Sequence, residues 1–175
     1  MNWSRTLLGV SALAGGFLVT YWLTEPAPEP VPEAAVAFAG VRETGNRLAN
    51  SDVSSSEDLR TAAQNAGLRA SSDFKGFVEQ IRRVGETAEI SGWVADLRGI
   101  GEPSQLYFFA GGRLAGQAET RGERKDVTRT LNLAGDEKNN VNFSTALRCR
   151  TGDVVRVIAV NPYGHYFVLN SERCP

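Results

Sequence analysis

The chain has 175 residues, a formal net charge of −1, two cysteines and one histidine. This length fits one ordinary domain with additional segments, and the near-neutral charge gives no field that would attract nucleic acid. The 18 glycines and single methionine favour a β-rich core with many turns over a helical bundle.

The first element predicted along the chain is a membrane-spanning helix. After Arg5, residues 6–24 carry no charge and reach the length of about 20 residues that a helix needs to cross a hydrocarbon core. Trp3 at one end and Tyr21 and Trp22 at the other are typical of membrane interfaces. The sequence therefore predicts a single transmembrane helix over residues 6–24.

The residues behind this run decide between an uncleaved anchor and a cleaved signal peptide. A cleavage site needs small residues close behind the apolar stretch, whereas Glu25 and Pro26 follow the bulky aromatic pair. The sequence favours the anchor and leaves the cleaved signal peptide as the alternative. The positive charge of Arg5 predicts that residues 1–5 are cytoplasmic and that the chain after residue 24 lies outside.

Small residues four apart lie within the predicted span. Ser11 is followed at this distance by Gly15, and Ala12 by Gly16. Such a face lets two membrane helices approach closely, although Gly and Ala are also common in membrane helices of every kind. Two interpretations stay open, a helix-packing face toward other integral-membrane subunits and a face without a specific role.

Residues 25–73 are predicted to form a stalk and an acidic, partly helical connector. Alternating prolines predict a stiff, extended stalk, with a ligand for an aromatic-lined groove as the rival interpretation. Residues 33–50 favour one helix, and Ser54 with Glu57 forms a capping-box pattern that opens a second helix ending near Asn65. Neither helix has enough apolar surface to bury itself alone, so we expect a loose linker or a segment held along a partner. The prolines are Pro26, Pro28, Pro30 and Pro32.

From residue 74 to residue 175 the pattern changes to short β-rich segments separated by turns, which predicts a mainly β fold, an antiparallel sandwich of about eight strands. Trp93 is expected to fill the centre between the sheets beside Ile90 and Val94, with a ligand-stacking platform as the alternative. The predicted strands are Phe74–Val84, Ala88–Asp96, Ser104–Ala110, Arg113–Thr120, Asp126–Leu133, Asn140–Arg148, Asp153–Asn161 and Gly164–Asn170.

Several motifs follow one another in this region. They are Gly76-Phe77-Val78-Glu79, Gly92-Trp93-Val94-Ala95-Asp96, an apolar strand before Gly111-Gly112, Arg124-Lys125-Asp126-Val127 and Asn142-Phe143. Their order over residues 74–145 resembles small Ig-like β-sandwich modules of bacterial envelope proteins and glycosyltransferase-associated regions. The chain departs from that pattern at Asn142, where a glycine is expected.

The resemblance implies an Ig-like fold and a compartment, with the anchor in the bacterial inner membrane and the sandwich in the periplasm. It provides no catalytic residue, so Trp93, Asp96, Arg124 and Asp126 are interpreted as structural motif residues. For Arg124 and Asp126, two positions apart, we expect an ion pair that holds the loop after the hairpin, with a substrate clamp as the alternative.

The remaining chemistry-bearing residues are few. Outside the cytoplasm, Cys149 and Cys174 are expected to form a disulfide, with free thiols as the alternative. His165 is the only histidine, and we find no nucleophile elbow, phosphate loop, metal-ligand cluster or haem-attachment pattern. The sequence therefore predicts no cofactor, no metal and no enzymatic activity.

Three functions of different kinds remain, and the third, an enzyme, is the least favoured because no catalytic motif is found. The first is a non-catalytic accessory subunit that stabilises a larger integral-membrane complex, such as a photosynthetic or respiratory assembly, from its periplasmic side. The second is a stalked module that binds glycans or the cell envelope. Exposed aromatic pairs, Tyr107 with Phe109 or Tyr163 with Tyr166, would favour the second function, and a buried Tyr107/Phe109 face would count against it.

Overall fold

Two β-sheets lie face to face in the structure, a computed structural model that describes residues 43–98, 101–133 and 139–175. These described residues all belong to one compact unit. Helix α1 covers residues 43–49. The other elements are α2 (Ser56–Asn65), β1 (Arg69–Ala70), β2 (Phe74–Val84), β3 (Thr87–Asp96), β4 (Gln105–Ala110), β5 (Arg113–Glu119), α3 (Lys125–Thr130), β6 (Asn142–Leu147), β7 (Val154–Val160), β8 (His165–Val168) and β9 (Glu172–Arg173).

The strands divide into a larger and a smaller sheet. The six-stranded sheet has the order β1-β8-β7-β4-β5, with β9 paired to one end of β7, and the three-stranded sheet has the order β2-β3-β6. Only the short β1–β8 pair is parallel among the strand pairs of the described residues. The predicted mainly β fold is confirmed, with a mixed rather than purely antiparallel larger sheet.

The main core lies between the two sheets and is built from alternate residues of their strands. Ile90 and Val94 of β3 face Phe108 of β4 and Val157 of β7, and all four side chains are at most 1% exposed. Strand β7 is buried on both faces, because Val157 points into this core while Ile158 points to the opposite side of the sheet. This explains the continuous apolar run of residues 157–160, which follows Arg156 in the same strand.

The described part of the connector packs on the outer face of the larger sheet. Leu48 of α1 and Leu59 of α2 are fully buried and share a cluster with Tyr107, Phe109 and Ile158. The expectation of a loose or partner-held connector is therefore wrong for this part of the chain. The apolar surface of each helix is small, but β4 and β7 supply the second half of the cluster.

The N-terminus of α2 is fixed by a capping box one residue later than expected. Ser55, not Ser54, is the N-cap, and its hydroxyl accepts from the Asp58 N–H at 3.0 Å while Asp58 accepts from the Ser55 N–H. Hydrogen bonds from the hydroxyls of Ser54 and Ser55 hold the pKa of Asp58 below its ordinary value. The helix therefore starts with a carboxylate at its positive end.

The predicted strand Asp126–Leu133 is wrong, because Lys125–Thr130 is the helix α3. Its β-branched residues suggested a strand, but Val127 and Leu131 are four residues apart and lie on one helical face. They pack against Ala95 and Val141 on the outer side of the smaller sheet. Burial of this face outweighs the local strand preference.

The other seven predicted strands are present with bounds that differ by at most two residues, and β1 and β9, which are two residues long, were not predicted. Among the described residues, no helix is both long and apolar enough to span a bilayer. The predicted span (6–24) and the residues predicted for membrane interface and helix packing lie outside the described residues. They are Trp3, Ser11, Ala12, Gly15, Gly16, Tyr21 and Trp22.

Candidate functional site

Trp93 lies on the outer face of the smaller sheet, so its predicted position between the sheets is wrong. Neighbouring strand residues point to opposite faces, and Val94 occupies the inner face. Trp93 instead packs with Leu131 in the small cluster under α3 and is partly exposed. On the outer face its cross-strand partner is Phe77, whose exposed fraction is 49%.

These aromatic residues line an open cleft of about 670 Å³. It extends from Trp93, Phe77 and Leu131 on the outer face to Phe74 and Phe167 at the edge of β2. The last two rings stack with their centroids 6.2 Å apart. We call this feature, defined by Phe74, Phe77, Trp93, Leu131 and Phe167, the aromatic cleft, and it is the candidate functional site.

Two motif glycines allow β2 and β3 to pair closely at the cleft. A Cβ at Gly92 would collide with the Phe77 carbonyl oxygen and lie 2.7 Å from the Phe143 ring, and one at Gly76 would lie 2.9 Å from the Trp93 carbonyl oxygen. Real Cβ atoms do not approach other atoms so closely. The glycines of both motifs are therefore required by packing of the smaller sheet.

The predicted Arg124–Asp126 ion pair forms and includes a third residue. The Arg124 guanidinium donates to Asp126 at 2.6 and 2.9 Å and to Glu79 at 2.9 and 3.0 Å. Since Glu79 follows Val78 at the bulge of β2, this network joins the start of α3 to the strand that borders the cleft. Hydrogen bonds from Arg124 lower the pKa of Asp126 to about 2, and both carboxylates raise the pKa of Arg124.

The motif residue Asp96 joins the ends of the two sheets. Its carboxylate accepts from Asn161 Nδ2 at 2.6 Å and from the Arg98 N–H at 3.0 Å, and its exposed fraction is 8%. The Asn161 side-chain oxygen accepts in turn from the N–H groups of Tyr163 and His165. Asp96 thus holds the β7–β8 turn, and His165 begins β8 as part of the wall of the domain.

The aromatic pairs proposed for glycan binding are mostly buried. Tyr107, Phe109 and Tyr166 are at most 3% exposed beneath α1 and α2, and only Tyr163 is exposed, at 64%. Burial raises the pKa of Tyr107. These pairs therefore offer no platform of two exposed rings, whereas the neighbouring rings of Phe77 and Trp93 are both at least partly exposed on the opposite side of the sandwich, at the aromatic cleft.

Cys149 and Cys174 are joined by a disulfide near the start of β7, at the end of the sandwich opposite to the Asp96–Asn161 contact. A second cleft beside this bond has a volume of about 810 Å³, and its lining includes Arg113, Arg148 and Arg150 together with Glu86 and Asp153. Within the described part of the chain, no group of three or more His, Cys, Asp or Glu side chains is arranged to hold a metal ion.

The sequence did not indicate that Phe77 and Leu131 form a site. Two signals were available, however. The first is that Trp93 and Val94 are adjacent in a strand and cannot both face the same core. The second is that Gly76 and Gly92 indicate two closely paired strands, in which Phe77, next to Gly76, lies on the outer face.

Comparison with known proteins finds no matching family model, no similar curated protein and no similar solved structure. The resemblance of residues 74–145 to envelope β-sandwich modules therefore stays a prediction. The class that the fold and the site define is an α-helix-covered β-sandwich with an exposed aromatic cleft.

Proposed function

We propose that this chain is a non-catalytic, membrane-anchored accessory subunit that stabilises a larger integral-membrane complex from the periplasmic side. In this proposal the segment 6–24 anchors the chain, and the aromatic cleft is the surface on which the sandwich contacts its partner protein. The membrane anchor and its orientation rest on the sequence pattern alone.

The observation that carries the proposal is the exposure of Phe77 beside Trp93 and Leu131 in one apolar cleft. Large apolar side chains gathered in an exposed depression are typical of protein interaction sites. Phe77 does not contribute to the core between the sheets, because Phe74 and Val78 of the same strand already fill the inner face. Core packing therefore does not explain a large apolar side chain at position 77.

The glycan-binding alternative has less support from this cleft. A sugar needs several hydrogen-bonding partners as well as an aromatic face, whereas the described side chains of the cleft supply three polar groups, the Ser72 hydroxyl, the Lys75 ammonium and the Trp93 indole N–H, and no carboxylate or amide. Trp93 is the one feature that favours it, since indole rings stack well on sugar faces. A protein partner with apolar anchors fits the lining better.

Extraction of the native membrane in a mild detergent tests the proposal. We expect the full chain to migrate in a large complex of fixed stoichiometry, and Phe77→Ser to release it. Val84→Ser is the matched control, because Val84 is 50% exposed near the other end of β2 and is expected to leave the complex intact. A wild-type chain that migrates as a monomer in this experiment would overturn the proposal.

A further inference from the structure

The edge of β2 beside the aromatic cleft exposes backbone hydrogen-bonding groups. In an antiparallel pair, every second residue directs its N–H and C=O away from the partner strand. Val78 is such a residue, because its N–H donates to Asn170 Oδ1 at 2.8 Å and its C=O accepts from Asn170 Nδ2 at 3.3 Å. Gly76 lies two positions earlier in unbroken register with β3, so its N–H and C=O also point outward.

The outward N–H and C=O groups of Val78 and Gly76 differ in their hydrogen-bond partners. At Val78 the side-chain amide of Asn170 takes the place of a neighbouring strand. At Gly76, no group of the described residues bonds to the outward N–H or C=O, and the residue is partly exposed and lines the cleft. An open strand edge beside an apolar depression is the arrangement to which extended polypeptide segments add.

Lys75 gives this edge a charge. It is exposed, lies on the same outer face as Phe77 and has the small residue Ala95 as its cross-strand partner. Among the described residues that line the cleft, Lys75 carries the only charge, and no salt bridge of the described chain includes it. A bound segment is therefore favoured when it presents a carboxylate at this position.

We propose that the β2 edge binds an extended segment of the partner protein with the pattern apolar–any–acidic. The middle residue pairs its backbone with Gly76, the apolar side chain lies beside Phe77 in the aromatic cleft, and the carboxylate meets Lys75. The spacing of the pattern follows from Lys75 and Phe77, which lie two residues apart on one face, and its order, apolar before acidic, is that of a segment running antiparallel to β2. This inference rests on the proposed function and names the element that the accessory subunit recognises.

The structure favours a foreign segment over a second copy of this chain. Symmetric pairing of two β2 strands needs several consecutive open residues, whereas Asn170 closes the edge at Val78 and Phe74 is only 1% exposed. The open edge is therefore short. It suits a segment that combines one backbone pair with two side-chain contacts.

The test uses the full chain in detergent micelles, labelled with ¹⁵N at glycine and phenylalanine, and a defined probe peptide, acetyl-Ser-Val-Phe-Val-Glu-Val-Ser-amide. We expect saturable shifts of the Gly76 and Phe77 amides and slower hydrogen exchange at Gly76. N-methylation of the central valine removes the backbone pair and is expected to weaken binding at least about tenfold. Absence of saturable shifts at millimolar peptide, or equal binding of the N-methylated peptide, overturns the proposal.

A charge-reversal experiment distinguishes the electrostatic contact of Lys75 from nonspecific apolar binding. Lys75→Glu is expected to lower the affinity for the probe peptide and to raise the affinity for a peptide with lysine in place of its glutamate. Lys125→Glu on α3 is expected to leave both affinities unchanged. Equal effects of the two substitutions would contradict a role for Lys75. Concentration-dependent shifts of Gly76 without peptide assign the edge to a second copy, and equivalent shifts with N-acetylglucosamine oligomers assign it to glycans; either result overturns the proposal.

The two proposals fail separately. A chain that stays in its membrane complex but does not bind the probe retains its accessory function and loses this recognition mode. A chain that binds the probe at Gly76 but is monomeric in the membrane retains the edge site and loses the accessory function.

Discussion

Gly45 sets the distance between α1 and β4. A Cβ at this position would lie 2.6 Å from the Tyr107 hydroxyl oxygen and 2.9 Å from the ring carbon Cε1. Glycine in a helix ordinarily costs about 1 kcal/mol relative to alanine, so its presence in α1 needs a structural reason. The close approach to a ring that is 3% exposed supplies that reason.

We therefore expect Gly45→Ala to destabilise the protein despite the gain in helix propensity. Overpacking against a buried ring costs about 1–3 kcal/mol, which is comparable to or larger than that gain. Urea unfolding measures the difference, and Asn46→Ala, exposed on the same helix, is the control that is expected to be neutral or stabilising. An equal rise in stability for both variants would show that α1 does not pack on Tyr107.

The Glu79–Arg124–Asp126 network predicts a pH dependence with a definite sign. The pKa of Asp126 is lowered from 3.8 to about 2, so the contribution of its carboxylate is present above its ordinary pKa and is lost as pH falls through about 2. We expect Asp126→Asn to lower the thermal midpoint equally at pH 7 and at pH 5. The difference from the wild type should shrink progressively as the pH falls below 3.8 and should be largely gone near pH 2.

A difference that disappears already between pH 7 and pH 5 would contradict this assignment. The Glu79 arm is tested separately by a double-mutant cycle of Glu79→Gln and Arg124→Gln. Because both side chains are partly exposed, at 38% and 26%, we expect a coupling of at most about 1 kcal/mol.

At the scale of elements, the helical layer is part of the domain rather than an addition to it. Leu59 of α2 is fully buried against the face of the larger sheet that Phe109 and Ile158 present. We expect Leu59→Ala to lower the free energy of unfolding by about 2–5 kcal/mol. Helices and sheets are expected to unfold in one transition, whose urea midpoint falls. Arg60→Ala, on the exposed side of the same helix, is the control, measured by urea unfolding followed by tryptophan fluorescence and circular dichroism.

Separate transitions for helix and sheet signals in the wild type would show instead that α2 unfolds independently. The fluorescence is measured with Trp3→Phe and Trp22→Phe in the background, so that Trp93 alone reports on the smaller sheet, on the side of the molecule away from α2.

The sequence predicts the strands well because their signal is local. Seven of the eight predicted strands are present, since alternating or continuous apolar residues bounded by turns define them without reference to the rest of the chain. The failures depend on distant partners. α3 is a helix because Val127 and Leu131 meet Ala95 and Val141, and the connector is ordered because β4 and β7 have a second apolar face.

The candidate site was predicted less well for the same reason. Trp93 was singled out, but its face depends on the pairing and the register of β2 with β3, and the cleft also needs Leu131 after α3 and Phe167 from the other sheet. No window of sequence contains these residues together. The ion pair of Arg124 and Asp126 was predictable from their proximity, whereas Glu79, 45 residues away from Arg124, was not.

For the whole molecule, the Cys149–Cys174 disulfide connects the C-terminus to the loop after β6. The cysteines are 25 residues apart, and the bond encloses β7, β8 and β9. Cys174 is 2% exposed and belongs to the main core, and its N–H donates to the Asp153 carbonyl at 2.8 Å. The bond therefore constrains strand β7, which contributes to both hydrophobic clusters of the fold.

Loss of this bond is expected to lower the stability of the entire domain rather than that of its C-terminus alone. Closing a loop of this size contributes about 3 kcal/mol in the chain-entropy model. We expect this loss in urea unfolding of the Cys149→Ser/Cys174→Ser double variant, with both the helix and the sheet signals shifted together because β7 supports the two clusters. The oxidised wild type, unfolded without reductant, is the control that retains the bond. A double variant in which only the tail residues gain hydrogen exchange would mean that β7 is held by its sheet neighbours β4 and β8 alone.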